Sequence, residues 1–333
     1  METNKIPLTA PEISNLWASF QANSMGVCVL KYFSAKAEDQ EIKSVIEFAL
    51  DVAEKQYNQI KQIFHSEGMA IPLGFTDDDV NLEAPRLLSD MFALEYVKHM
   101  ASIGMMTYSA ALYIASRVDI RDIFHGCMLS TIEMDHKSTE VLLLKGIYIR
   151  PPYINLPEKV DFVKDQHFLN GWFGHRPITG LEITNLFMNM LTNSLGKALI
   201  MGFSQVVQSK EIRKHFIRGK HLAAKQFSAF ASIFTAEDID IPHTWDSHVT
   251  DSTISPFSDK LMVFHVSSLI ASGIANYGLA LSTSLRRDIS AEYTRLLSEI
   301  GLYAEDGANL MIKHGWMEEP PRAADRKHLI GKR

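Results

Sequence analysis

The chain has 333 residues, 46% hydrophobic and 22% charged, with a formal net charge of −6. That length suits about two domains, the composition is that of an ordinary globular protein, and the acidic balance excludes the basic field of a nucleic-acid binder. No basic segment followed by an apolar run opens the chain, so a cytoplasmic protein is expected.

Taken in order, the residues predict four helices and then the same four again. The first helix is expected over 10–37, with Thr9 as N-cap, Pro11 in the first turn and Glu12 completing a cap-like pattern. The second, over 39–66, places Ile42, Ile46, Ala49, Ala53, Tyr57, Ile60 and Phe64 at helical spacing, and Gly68 stops it. Ile71-Pro72-Leu73-Gly74 through Asp77-Asp78-Asp79 reads as a long loop. The third helix is expected over 85–117. The fourth, capped by Asp119, ends at Gly146 ahead of Pro151-Pro152. Short turns within each helix pair and one long crossover between pairs define a ferritin-like four-helix arrangement.

The second set follows from an internal repeat. Thr9, Glu12, Asn15, Leu16, Asn23, Ser24, Gly26 and Phe33 return as Thr179, Glu182, Asn185, Leu186, Asn193, Ser194, Gly196 and Phe203, 170 residues on. Ala53-x-Lys55-Gln56 returns as Ala223-x-Lys225-Gln226. From Ser89-Asp90 the offset is 169, carrying Gly104, Tyr108, Arg117 and Asp119 onto Gly273, Tyr277, Arg286 and Asp288. One domain is therefore written twice, with a one-residue length change in the crossover. There Asp77-Asp78-Asp79 is set against Ser247-His248-Val249. The expected fold is all-α: two tandem ferritin-like four-helix bundles, over 1–153 and 178–321, joined by a linker over 154–177 and followed by a polar tail over 322–333. Phe162, Phe168, Trp172 and Phe173 suggest a linker packed against a domain.

Cys28 and Cys127, the only cysteines, answer to Ala198 and Leu296, so the copies share no disulfide framework. The stretch 261–285 carries no Asp, Glu, Lys or Arg and is long enough to cross a membrane. It contains His265 and Asn276, and the matching stretch of the first copy carries Glu95, Lys98 and His99. A buried helix is expected there, and no membrane span.

Positions kept in both copies report the fold, and positions that changed report specialisation. A di-iron site in such a bundle needs Glu on two helices and Glu-x-x-His on the other two. The first copy has one Glu133-x-x-His136, and Leu302 and Glu305 stand there in the second, so the full set is absent. A subtler pattern is a reciprocal exchange. Asp51 is set against His221, and His136 against Glu305, as a hydrogen-bonded pair or two metal ligands would leave them. The third helix adds His99 in one copy and His265 in the other. The best single set is His221, His265 and Glu305, with Asp51, His99 and His136 as a first-copy counterpart, for a divalent first-row metal such as iron, manganese or zinc. Asn23 recurs as Asn193, and by helical rise Asn23 stands level with Asp51. No glycine-rich phosphate loop, nucleophile elbow or Cys-x-x-Cys is present. Two readings stand: a protein that binds a metal or small ligand within a bundle, and a non-catalytic structural or interaction protein. An enzyme is the least supported.

Phe257-Ser258-Asp259-Lys260-Leu261-Met262, Arg286-Arg287-Asp288, Ala304-Glu305-Asp306-Gly307-Ala308-Asn309 and His314-Gly315-Trp316-Met317-Glu318-Glu319-Pro320-Pro321 resemble a tandem family of spore-forming Bacillus-type bacteria, domain of unknown function 3231. The resemblance covers nearly the whole chain and implies a ferritin-like bundle repeated twice, without an established activity. The first copy departs from it, with Asp135-His136-Lys137 where the second has Ala304-Glu305-Asp306. Lys313-His314-Gly315-Trp316 is also similar to spore coat protein F-like proteins. That similarity points to self-association or to spore- or stress-associated protein partners.

Overall fold

The computed structural model describes residues 6–172, 174 and 176–331. Its helices are α1 Ala10–Lys36, α2 Gln40–Ser66, α3 Asp90–Ile114, α4 Val118–Leu144, α5 Gly180–Val206, α6 Lys210–Ala236, α7 Asp259–Thr283, α8 Arg287–Lys313 and a short α9 Arg326–Gly331. The matching helices of the two halves have identical lengths of 27, 27, 25 and 27 residues. The chain is all-α, two tandem four-helix bundles related by internal duplication.

Each bundle is closed at one end by a glutamate. Thr9 and Glu12 form a capping box at the start of α1, and Thr179 and Glu182 repeat it on α5. The same carboxylates reach beyond their own helices. Glu12 Oε1 accepts from the backbone N–H of Ser116 and Arg117 at 2.9 and 2.8 Å. Glu182 Oε1 accepts from Leu285 and Arg286 at 3.2 and 2.9 Å. Each glutamate so satisfies free amides on two helix starts at once. This corrects the expected cap of α4. Its N-cap is Arg117, without a side-chain cap bond, and Asp119 instead pairs with the Arg117 guanidinium at 2.9 and 2.6 Å.

The crossovers differ from expectation in a second way. α3 begins at Asp90, where Ser89 Oγ accepts from Phe92 N–H, because the residues before it are drawn onto the other half. Leu88 bridges Val249, and Val80 bridges Phe257. Asn81 N–H donates to Pro256 O at 2.8 Å, and Thr250 N–H donates to Leu87 O at 2.9 Å. Ser258 Oγ donates to Asp79 at 2.6 Å, and Ser89 Oγ meets His248 Nδ1 at 2.8 Å. Each of these contacts occurs twice with the halves exchanged, the signature of an isologous two-fold interface. It also relocates the length change. Phe75 and Trp245 each donate their N–H to a serine of the preceding helix, Ser24 and Ser194. The 3₁₀ turns that follow are Asp77–Asp79 and Asp246–His248. Thr76 is the extra residue, and Asp79 answers to His248, not to Val249.

Burial follows this organisation. A central core crosses the junction, with Tyr32, Phe33, Phe92 and Tyr96 from one half against Phe203, Phe257, Met262 and Val266 from the other. Smaller cores fill the far end of each bundle, around Phe20, Phe64 and Phe124 in the first and Phe187, Phe230 and Tyr293 in the second. α7 is the one described helix long and apolar enough to cross a membrane, with a mean hydropathy of 1.2. Here it is a bundle helix, with Leu261, Met262, Val263 and Val266 buried in the central core.

The linker is packed in part, where a segment packed throughout was expected. Phe168 lies under the Arg176 guanidinium at 4.1 Å, and Gly171 sits against Asp288, where a Cβ would fall 1.8 Å from Oδ1. Phe162 and Trp172 are instead largely exposed, and Phe173 lies outside the described residues.

Candidate functional site

The residues expected to hold a metal are not gathered. Asp51, His136, His221 and Glu305 are all exposed, on the outer faces of α2, α4, α6 and α8. His265 is buried, at 2% exposure, and so lies on the opposite side of the bundle wall from His221 and Glu305. Among the described residues, no three His, Cys, Asp or Glu side chains stand together in a metal-holding group. The physical reason is helical phase. Asp51 and His221 sit about 100° from the apolar stripe of their helices, which turns them to water. Glu133 is likewise exposed and pairs with Lys137 one turn on, at 3.5 Å.

The level of each bundle marked by the repeated asparagine carries a neutral hydrogen-bonded triad. Asn23 Nδ2 donates to Tyr108 Oη at 3.2 Å, and Tyr108 Oη donates to Gln56 Oε1 at 2.8 Å. In the second half Asn193 Nδ2 donates to Tyr277 Oη at 2.7 Å, and Tyr277 Oη donates to Gln226 Oε1 at 2.9 Å. Three helices of each bundle contribute one member apiece. All these side chains are buried, and burial pushes both tyrosine hydroxyls well above their ordinary range. Gln56 Nε2 and Gln226 Nε2 are shut off from solvent without a partner. Asn23 therefore meets Gln56 through Tyr108, not Asp51. Gln56 and Tyr108 were visible as kept positions, and that retention was their signal.

The triads differ in their surroundings. In the second half a crevice of about 60 Å³ opens beside Asn193, Gln226 and Tyr277, lined by Gly196, Gly219 and Gly273. In the first half Met100 Cε reaches Gly26, 3.4 Å from where its Cβ would be.

A second buried polar group sits where the halves meet. Tyr96 Oη and His265 Nε2 lie 2.8 Å apart. These two residues occupy one and the same repeat position, so the contact falls on the pseudo-two-fold axis. Phe33 packs edge-on against Tyr96, and its equivalent Phe203 packs edge-on against His265. Burial holds the His265 imidazole down at about 3 and that of partly buried His99 at about 4. His265 Nδ1 and His99 Nε2 have no hydrogen-bond partner. Sequence reading selected both histidines for the wrong company, because the 169-residue offset pairs His265 with a tyrosine.

On the surface, 153–163 stands out. Tyr153, Leu156, Val160 and Phe162 are 85%, 88%, 84% and 80% exposed, in a segment without helix or strand.

Fold and site together define a duplicated helical-bundle protein with neutral bundle centres. The chain matches the family Protein of unknown function (DUF3231) over residues 1–160 and 167–329, and it belongs to that family. No functionally curated protein matches it. Among solved structures it is similar to a protein of Bacillus halodurans C-125 provisionally assigned to the spore coat, at 19% identity and a TM-score of 0.41, over 46% of this chain and 99% of that one.

Proposed function

We propose that this is a non-catalytic structural protein that assembles with further copies of itself, and that 153–163 is the assembling strap. The observation that carries this reading is the run of four large apolar side chains at 80% exposure or more in one extended segment. Apolar patches of that kind on an otherwise well-packed protein mark interaction sites. The four side chains present on the order of 500 Å² of apolar surface. In a two-fold exchange each copy buries its own strap and the surface its neighbour's strap covers. That reaches roughly 1,000 Å² per copy, enough for a stable interface. The neutral triads support a scaffold too, since amide and phenol groups are poor ligands for the first-row metals such bundles use.

The test is sedimentation equilibrium of the full chain beside a variant with Tyr153, Leu156, Val160 and Phe162 all changed to Ser. The expected result is a wild-type oligomer and a monomeric variant of unchanged melting temperature. A monomeric wild type at micromolar concentrations overturns the reading, as does a variant that still associates.

A second reading, a ligand held in the second bundle, is favoured by the crevice and its unpartnered Gln226 amide. At about 60 Å³ the crevice admits water-sized species only.

A further inference from the structure

The groove between α6 and α8 holds a cavity of about 390 Å³, lined among others by Glu211, Lys214, His215, Arg218, Asp306 and Lys313. At the same repeat positions the first half has Glu41, Ser44, Val45, Phe48, Lys137 and Leu144. There the Lys137 ammonium lies over the Phe48 ring, 4.9 Å from its centroid. The second half thus places three cations against two carboxylates where the first has one of each. It does so on a chain whose net charge is −6.

The change reaches beneath the surface. Val45 has become His215, which is only 8% exposed and stacks on Tyr303 with centroids 4.2 Å apart and planes 10° apart. Tyr303 stands where the first half has Met134, and its hydroxyl donates to His215 O at 3.1 Å. Gly219 replaces Ala49, and a Cβ there would fall 2.1 Å from Tyr303 Oη. Gly307 replaces Ser138, and its Cβ position is 3.5 Å from His215 Nε2. Two small residues and one aromatic partner therefore seat a single imidazole at the groove floor. Along the rim, Arg218 pairs with Asp306 while lying over the Tyr303 ring, and Lys313 Nζ pairs with both oxygens of Glu211 at 2.8 Å. Lys214 is exposed and joins neither pair.

We propose that this groove binds a small oxyanion, a phosphate or carboxylate group on a compact molecule, between Lys214, Arg218 and the edge of His215. A guanidinium has five donors in a planar fork, so pairing with Asp306 leaves donors for a second anion. Lys214 supplies the charge the two existing pairs leave over. Burial and the nearby Arg218 hold His215 down at about 4, while Asp306 pulls the other way. A bound anion adds to the pull of Asp306, so the imidazole reports its arrival.

The experiment follows the His215 ring protons by NMR on the full chain during titration with inorganic phosphate, with acetate, and with chloride at matched ionic strength. The expected result is a saturable shift with phosphate, acetate or both, absent with chloride. In the Lys214→Ala, Arg218→Ala double variant, binding is weakened by about tenfold or more, with an unchanged circular dichroism spectrum. Lys137→Ala in the first half leaves the titration as it was. Whichever oxyanion saturates at lower concentration identifies the class of head group. A shift that tracks ionic strength alone, persists in the double variant, or never appears overturns the proposal.

Discussion

His265 and Tyr96 meet at the junction because they are one position of a repeated sequence, and an equivalent pair on a two-fold axis faces itself. A Tyr–His pair there needs only one shared proton, so the contact is satisfied while the imidazole stays neutral. The cost appears in acid. Burial holds His265 at about 3 and His215 at about 4, against an ordinary value of 6.5. Below 6.5 the unfolded chain takes up protons that the folded chain refuses. Their contribution is complete above that pH and is lost as the pH falls towards 4 and 3. By pH 4.5 each fully shielded imidazole has cost roughly 2–3 kcal/mol. Glu12, held at about 2 by the backbone N–H groups of Arg117, Thr9 and Ser116, and Glu182, held at about 2 by the Arg176 guanidinium and the backbone N–H groups of Thr179 and Arg286, lose their stabilisation in the next window down, from 4.5 towards 2. Urea denaturation of His265→Gln at pH 7 and pH 4.5 is expected to show a smaller acid-induced loss than wild type, whatever its absolute stability. An unaltered pH slope would show that this imidazole does not titrate with unfolding.

At the scale of elements, the two glutamates at the bundle ends join parts of the fold that sequence reading treats separately. Thr9–Glu12 and Thr179–Glu182 were legible as caps because a capping box is local, complete within four residues. Their second task was not legible, since it depends on which turn comes to lie over the helix start. That task also explains why α4 and α8 have arginine N-caps without a side-chain bond: a distant carboxylate serves their first amides. Glu182→Ala is expected to cost roughly 3–5 kcal/mol, since it strands the Arg176 guanidinium, 13% exposed at its side chain, together with the Thr179, Leu285 and Arg286 amides. Hydrogen exchange should report faster exchange at Leu285 and Arg286 than a uniform loss of stability predicts. Slowed or unchanged exchange there would remove Glu182 from the clamp.

At the scale of the molecule, the halves share their largest core and trade their crossover loops. Glu318, beyond the second bundle, accepts from the Leu73 and Gly74 amides at 2.9 and 2.8 Å, and Lys260 donates to Gly74 O at 2.7 Å. Gly74 has φ +59°, and a Cβ there would lie 2.6 Å from Ser24 Oγ, so this grip needs glycine. Neither half closes the central core without the other. The full chain is expected to unfold in one cooperative transition by calorimetry, and residues 6–150 expressed alone are expected to lack one. A separately folded half with its own sharp transition would show that the shared core is dispensable.

The sequence by itself determined the repeat, the eight long helices, the Thr9 cap with its repeat at Thr179 and the hairpin–crossover–hairpin order. These rest on spacings within a few turns of chain and on comparison of the copies. It also marked Asn23, Gln56 and Tyr108 with their partners Asn193, Gln226 and Tyr277 as kept, without saying that they touch. Only the tertiary structure decided that the exchanged Asp51, His136, His221 and Glu305 face water, that His265 and Tyr96 touch, and that the linker strap lies open. Those outcomes depend on the rotation of each helix against its neighbours and on which surface the second half covers. That is a competition for burial among distant residues, which no local pattern records.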